Sequence, residues 1–483
     1  MHRLAGGVLS MGYEEFIALI NNSTDKIREF ISQGNSFIVF CHIDADGLSS
    51  GAISSVMLLR AGARFITRAV RSIDEVLEAI PRFQSDTIAF LTDIGSGYLS
   101  ILREKFHDKQ FIILDHHQPD GEAEKHWIHI NPHLCGVDGA RDISSSGITY
   151  LVAKSLSEEN ISLSPVAVVG ALGDLQDKSS EKRELGGLNK MIVEEAVKSG
   201  LLKVSDDLLF YGRSYRPIHL ALASTTSPYI PGISGSEAHA VSFLNSLKIR
   251  LKEEDRWRVF TELSEEEKKI IYNGLMKYLS SLNFSPSIVK ELVGKIYELT
   301  KEEEWTPLKD AREFASLLNA CGKTGNEWIG LAIAMGARGE ILLQAQKILE
   351  EYKRKLSEAL DYLIRRENWQ ELKHIVAING GTAIDERMVS SASSILSSSD
   401  LLPEDKPLVM LATSGDKVKA SARASMKLIR MGLNLGLVLK KAADRVGGVG
   451  GGHDVAAGAE IPLAKKTMFL AEVDAIVGEM LKS

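Results

Sequence analysis

Cysteine is scarce in this chain. Cys41, Cys135 and Cys321 lie far apart and form no CxxC pair, which argues against a disulfide framework or a structural zinc site and suits a reducing cytoplasm. No apolar run reaches the roughly 18 residues that a membrane-spanning helix needs, and the N-terminus lacks the basic, apolar and small-residue order of a signal peptide, so no membrane partner is expected. Positive charge is not in excess either: 57 Lys and Arg stand against 64 Asp and Glu, a net charge of −7. That balance lacks the basic footprint of most nucleic-acid binders, although carboxylates that hold metal ions would account for part of the acidity. Aromatic residues form only 6% of the chain, so platforms for stacked bases are few, with Tyr211, Tyr215 and Tyr229 as candidates.

What is present is ordinary globular composition, 44% hydrophobic and 25% charged over 483 residues, enough for about three domains at roughly 150 residues each. Residues 1–200 read as alternating strand and helix, 201–304 as a mostly helical insert with a Pro/Gly/Ser-rich surface segment at 227–235, and 305–483 as a second α/β domain. Short apolar runs at Ser36 to Cys41, Thr87 to Thr92 and Gln110 to Leu114 are too brief for helices and predict strands. Each runs into potential ligands. Ligands in open parallel sheets bind beyond the carboxyl ends of the strands, so Asp44, Asp93 and Asp115 are expected to converge although they are distant in sequence. In the last third, Ile375 to Ile378 and Leu408 to Thr413 predict strands, and Asp385 to Leu396 a helix.

The strongest local signal is Cys41-His42-Ile43-Asp44-Ala45-Asp46-Gly47, whose alternate positions put an imidazole and two carboxylates on one side of an extended segment. Alone, the stretch reads equally well as a strand-to-helix turn with Asp46 as the N-cap and Gly47 supplying the bend. Asp93, Asp115-His116-His117 and Asp174 follow in order, and each alone would more often be a cap or a satisfied polar residue. Near the C-terminus, the glycines from Gly447 to Gly452 suggest a flexible linker by composition. The following His453 and small residues favour a phosphate cradle instead, with backbone amides of Gly451 and Gly452 and the His453 side chain as donors. Ser421-Ala422-Arg423 offers a hydroxyl and a guanidinium for the same purpose. Gly322-Lys323-Thr324 has the ending of a P-loop, but the position that needs the earlier glycine is Leu317, so no ATPase site is expected.

Taken together, His42-x-Asp44-x-Asp46-Gly47, Asp93, Asp115-His116-His117 and Asp174 resemble the four motifs of the DHH phosphoesterase family, and the segment from Gly447 to Gly458 resembles the C-terminal motif of the DHH-associated domain. Phe314 to Gly322 resembles the opening of that domain in archaeal RecJ-like proteins. The resemblance implies a parallel-sheet catalytic domain, a helical insert and a second α/β domain across a cleft. It implies a two-metal exonuclease that releases 5′-mononucleotides from single-stranded DNA or RNA in replication or repair. Metals about 3.5–4 Å apart suit such work, because they bind the oxygens of an anionic diester and stabilise the leaving alkoxide. By the resemblance, Asp93 bridges the metals, His42 and Asp44 hold one, and Asp46, His116 and Asp174 hold the other. His117 is left for the substrate, with Asp115 orienting it. Mixed imidazole and carboxylate ligands favour Mn²⁺, with Mg²⁺ as a weaker substitute. Ser421, Arg423, Gly451, Gly452 and His453 are assigned to nucleic-acid positioning. The same resemblance implies GINS of the replisome as a partner, through the insert. Two rivals stand beside this reading: hydrolysis of short oligoribonucleotides or cyclic dinucleotides, and a non-catalytic replisome scaffold like the related subunit of the eukaryotic replicative helicase.

Overall fold

Residues Phe37 to Cys41 are apolar and buried without alternation, as in a central strand of a parallel sheet covered on both faces. The computed structural model describes residues 11–84, 86–180, 182–226, 228–282, 287–397, 403, 405–452 and 454–481. Its first part runs α1 (Met11–Ser32), β1 (Ser36–His42), α2 (Ala45–Arg60), β2 (Arg64–Val70), α3 (Ile73–Ala79), β3 (Thr87–Thr92), α4 (Leu99–Phe106), β4 (Phe111–Leu114) and β5 (Ile128–Ile130), then α5 (Ser145–Leu156), α6 (Ser164–Gly173), α7 (Gly187–Lys198) and β6 (Leu202–Leu208). The five strands β1 to β5 form one parallel sheet in the order β2-β1-β3-β4-β5. The order reverses between β1 and β3, and such a switch point opens a crevice at the carboxyl ends of the strands. His42, Asp93 and Asp115 stand there. Beneath one face of the sheet Phe40, Leu91 and Ile113 pack with α3 and α4, while α2, α5 and α6 group together elsewhere in the same unit.

The insert comprises α8 (Ile218–Ala223), α9 (Glu237–Ser246), the short hairpin of β7 (Lys252–Glu253) and β8 (Arg256–Trp257), α10 (Glu265–Ser281) and α11 (Ser287–Lys290). It has its own core, including Leu222, Phe260 and Leu275. The 227–235 segment is not the surface stretch that its composition suggests, because Tyr229, Ile230 and Ile233 are buried. Burial also removes Tyr229 as a stacking platform, and the Tyr211 ring is faced by Arg216 and Lys353.

β9 (Val293–Leu299), α12 (Ala311–Lys323) and α13 (Glu327–Ala334) follow, then α14 (Glu340–Leu363). The chain divides into a unit of residues 1–207 and 293–349 and a unit of 208–292 and 350–483. In this division residues 305–349, and with them Phe314 to Gly322, fall in the first unit. α12 packs on α2 and α6, and its nonpolar face of Phe314, Leu317, Leu318 and Cys321 is buried. A bare Gly322 lets the helix approach the Ile43 carbonyl, with which any Cβ there would collide. This explains the P-loop-like glycine without phosphate.

In the second unit, β10 (Trp369–Glu371), β11 (Val376–Asn379), α15 (Val389–Ser397), β12 (Leu408–Ser414), β13 (Lys417–Arg423), α16 (Met426–Arg430), α17 (Leu435–Arg445), β14 (Val449–Gly452), β15 (Ala456–Pro462) and α18 (Lys466–Met480) complete the chain. Its six-stranded sheet runs β10-β11-β12-β13-β15-β14, with β11 and β12 parallel and the other pairs antiparallel. Val409, Leu411 and Val418 from the sheet share a core with Leu439, Phe469 and Val473.

Candidate metal centre

The turn from β1 into α2 shows how the first motif is built. The strand ends at His42 and the helix begins at Ala45, and Asp44 is the N-cap, accepting the Gly47 amide at 2.9 Å. Gly47 is needed because a Cβ there would collide with the His42 backbone. The Ala45 amide, an unpaired donor of the first turn, donates to Asn319 Oδ1 on α12 at 3.0 Å. The alternating arrangement expected for His42, Asp44 and Asp46 therefore holds only as far as Asp44. Helical backbone turns Asp46 toward α5, where its carboxylate accepts the Ser145 and Ser146 amides at 2.8 and 3.0 Å. Gly170 on α6 makes room for it, since a Cβ there would meet Asp46 Oδ1 at 2.5 Å.

Asp93 sits at the middle of the site. Its φ is +60°, a left-handed conformation that costs a non-glycine residue energy and that recurs at functional positions. The residue is 3% exposed, and its Oδ1 has no hydrogen-bond partner. Burial raises its pKa well above the usual carboxylate range, and Asp44, Asp46, Asp115 and Asp174 push it in the same direction. Its ion-pair neighbours among the described residues are histidines: His42 Nδ1 at 3.9 Å, His116 Nε2 at 3.5 Å and His117 Nδ1 at 3.8 Å. A buried carboxylate among four others, with an oxygen to spare and neutral-capable imidazoles around it, is a donor set for cations.

Two groups share Asp93. His42, Asp44 and Asp93 form one, and Asp93, His116 and His117 the other, each with potential ligand atoms within 4.8 Å of one another. His42 Nδ1 lies 2.9 Å from Asp44 Oδ2; although burial opposes it, that contact pulls Asp44 below the usual carboxylate range. His116 donates from Nδ1 to the Gly139 carbonyl at 2.6 Å, because a carbonyl can only accept. Its Nε2 then faces Asp93 Oδ1 at 3.5 Å and Asp174 Oδ2 at 3.7 Å. His117 is held differently: Asp115 Oδ1 lies 2.7 Å from its Nδ1 and accepts its backbone amide at 3.1 Å. Burial works against a charged His117, yet Asp115 outweighs it and the pKa rises to about 9. Asp115 Oδ2 accepts the Ser96 amide at 2.8 Å. The motifs do not include Ser96, whose only sequence signal is its place in the turn after Asp93.

The structure thus brings together His42, Asp44, Asp93, His116 and His117, puts Asp115 behind His117, sets Asp174 beside His116, and commits Asp46 to backbone amides. The second unit carries the remaining predicted residues. The glycine run is no linker, because Val449–Gly452 pairs with β15. Gly450 and Gly436 are explained by close approach, since a Cβ on either would strike the backbone of β14 or α17. Gly451 alone in that strand faces open space, and Gly452 has a φ of +137°. Ser421 and Arg423 lie on β13. The Arg423 guanidinium donates to Ser394 Oγ, Ser421 Oγ and Ser390 Oγ at 3.0 to 3.1 Å, and burial lowers its pKa to about 10. His453 lies outside the described residues.

Comparison with known proteins agrees with this architecture. Residues 210–293 match a DHH-CID domain and residues 377–479 a DHHA1 domain. An uncharacterised protein of Methanocaldococcus jannaschii is 33% identical over 470 residues, which cover 96% of this chain and 98% of that relative. RecJ of Thermus thermophilus, in complex with Mn²⁺, superposes with a TM-score of 0.58 at 18% identity over 95% of this chain. This chain spans only 55% of the length of that RecJ. CDC45 of Entamoeba histolytica superposes with a TM-score of 0.66 at 12% identity, covering 95% of this chain and 99% of that one. At such identities the two likenesses are of fold.

Proposed function

Because this chain belongs to the DHH family and carries its DHH-CID and DHHA1 domains, we propose that it is a two-metal phosphodiesterase that shortens single-stranded DNA or RNA from an end and releases 5′-mononucleotides. The observation that carries the proposal is Asp93, a buried carboxylate shared by two groups of potential ligands, with an unpartnered oxygen and no lysine or arginine in its ion pairs among the described residues. When bound, two divalent cations would supply Lewis acidity at the phosphoryl oxygens and activation of water. Asp93 would hold both, His42 and Asp44 one, and His116 and Asp174 the other. The imidazoles favour Mn²⁺ over Mg²⁺. The chain's own contribution is orientation. The Gly139 carbonyl fixes His116 with its Nε2 inward, and Asp115 fixes the His117 ring, which would donate to a substrate phosphate as its charge redistributes. In the second unit, Arg423, Ser421, the Gly451 and Gly452 amides and His453 would hold the strand's backbone.

Likeness of fold to CDC45 supports the rival reading of a scaffold without catalysis, but a scaffold gains nothing from burying Asp93 among four carboxylates. We place a contact with GINS in the insert, between residues 201 and 304, where Trp257 and Ile270 are exposed, and we assign the work to replication or repair. The deciding experiment gives the purified chain Mn²⁺ and single strands of DNA and RNA, labelled at either end. Metal-dependent release of mononucleotides from long strands is the expected result. Activity confined to very short or cyclic dinucleotide substrates would replace the substrate class, and absence of any hydrolysis would favour the scaffold.

A further inference from the structure

Behind the centre lies a carboxamide that neither motif nor charge pattern points to. Gln176 is 1% exposed, and its Nε2 donates to the Gly139 carbonyl at 2.9 Å and to Asp174 Oδ2 at 3.0 Å. The orientation of the amide follows from its surroundings. The end facing Gly139, Ile143 and Asp174 meets two carbonyls and a carboxylate, three acceptors at 2.9 to 3.4 Å. His116 Nδ1 also lies 3.4 Å away but donates its proton to Gly139, so this end is the NH₂. At the other end Oε1 accepts from Asn189 Nδ2 at 2.6 Å, and Asn189 Oδ1 in turn accepts the Ser144 amide at 3.4 Å, at the start of α5. The Gly139 carbonyl is the one that accepts a hydrogen bond from His116 Nδ1 at 2.6 Å. Position 139 admits only glycine, because a Cβ there would collide with the His116 carbonyl.

One side chain therefore touches both the carbonyl that sets the tautomer of His116 and the carboxylate of Asp174, and the facing atoms of His116 and Asp174 are 3.7 Å apart. We propose that Gln176 is a positioning residue of the centre: its two N–H groups hold Asp174 and, through Gly139, His116 in the arrangement that receives a divalent cation, and Asn189 keeps the amide from turning over. This rests on the reading of the centre as a two-cation site. Buried groups that orient ligands in this way change metal affinity by about 10 to 100-fold when removed. Gln176→Glu is the informative change. It keeps the shape and the bond from Asn189, but sets an acceptor where Asp174 and Gly139 need a donor.

The test is a titration of the full chain with Mn²⁺ alone, following free Mn²⁺ by electron paramagnetic resonance, with thermal unfolding in chelator as the control of fold. Wild type is expected to bind two equivalents. Gln176→Glu should weaken one of them about 10 to 100-fold, more than it weakens the other, in a chain that still unfolds cooperatively in chelator. That unfolding should come earlier than in wild type, because a buried acceptor now faces Asp174 and Gly139. Asn189→Asp should give a smaller loss at the same equivalent, because Asp still accepts from Ser144 but cannot donate to Gln176. Should Gln176→Glu fail to fold, Asn189→Asp decides alone, and wild-type binding by it overturns the proposal. A folded Gln176→Glu that binds both equivalents as wild type also overturns it, leaving the two-cation reading intact. A wild type that binds no Mn²⁺ overturns that reading first, and the role of Gln176 with it.

Discussion

Asp93 and Asp177 are both buried aspartates of the same unit, and both keep one oxygen without a hydrogen bond. What separates them is countercharge. Asp177 Oδ2 meets Arg183 at 3.0 Å and Arg312 at 2.6 Å. Burial pushes its pKa up, but the two guanidiniums outweigh burial and hold it below the usual range. Arg312 also donates to the carbonyls of Arg183 and Lys295 at 3.1 Å, which fastens α12 to the chain around it. Asp93 has histidines and other carboxylates instead, and its pKa moves the opposite way. Asp177 is neutralised by the chain's own arginines, whereas Asp93, at the crevice beyond β1 and β3, has no such countercharge in its ion pairs among the described residues, which is what the proposed cation site requires. An unpaired oxygen alone would not distinguish the two, because both aspartates have one.

The widest separation should appear in catalysis. Asp93→Ala removes the carboxylate common to both ligand groups and is expected to bring Mn²⁺-dependent hydrolysis to background while the circular dichroism spectrum stays native. Retention of more than a small fraction of wild-type turnover would take Asp93 out of the centre. Stability should separate them in the other direction. Asp177→Ala strands two partly buried arginines, and breaking a buried pair in this way costs about 3–5 kcal/mol, read from denaturant unfolding. Asp93→Asn relieves repulsion among the carboxylates, so in chelator it should unfold no earlier than wild type. If Asp93→Asn in chelator proves as damaging as Asp177→Ala, the contrast between the two aspartates fails. Next in size is the response to metal. Mn²⁺ at a hundred times its dissociation constant should stabilise wild type by about 2.7 kcal/mol per site, and Asp93→Asn by much less, measured as the shift in thermal unfolding midpoint.

Three strands of the first sheet, β1, β3 and β4, are legible in the sequence because they are short apolar runs that end in polar ligand types. β2, with exposed residues at alternate positions, and the three-residue β5 carry no such signal. Thr87–Thr92 is both the predicted run and the observed strand, and convergence at the carboxyl ends follows from parallel topology alone. Asp46 is harder to place because spacing in sequence does not tell where extended backbone becomes helix, and two residues decide whether a carboxylate faces the crevice or the start of α5. The unit to which α12 belongs is hidden for a related reason. Its amphipathic pattern predicts a buried face, but nothing in the pattern says which core will cover it. Asn319 serves the His42–Asp44 turn through a bond to Ala45, a residue 274 positions away in the chain, and no local pattern announces such a contact. Gln176 is invisible on the same ground: a glutamine near a motif aspartate has no signature until its partners are placed around it.

Arg423 extends the comparison to the opposite sign of charge. Its guanidinium is tied to hydroxyls and carbonyls of Ser390, Ser394, Ser421 and Ala422, and among the described residues no carboxylate pairs with it. Neutral oxygens fix the direction of the fork without cancelling its charge, which leaves the charge for an anion. The arrangement suits a strand phosphate, and it depends on the planar geometry that a lysine ammonium lacks. Arg423→Lys keeps one positive charge but cannot reproduce the spread of bonds to three serines, so on the proposed reading its ammonium should meet the strand's phosphate less well. Capture should suffer more than chemistry: KM for a labelled single strand is expected to rise about tenfold, equivalent to about 1.4 kcal/mol, with kcat little changed. His453→Ala should shift the same constant in the same direction. A collapse of kcat at constant KM in Arg423→Lys would instead give the guanidinium a part in the reaction itself, and an unchanged KM and kcat would make the serine-bound arginine a brace for α15, a positive counterpart of Asp177 and not of Asp93.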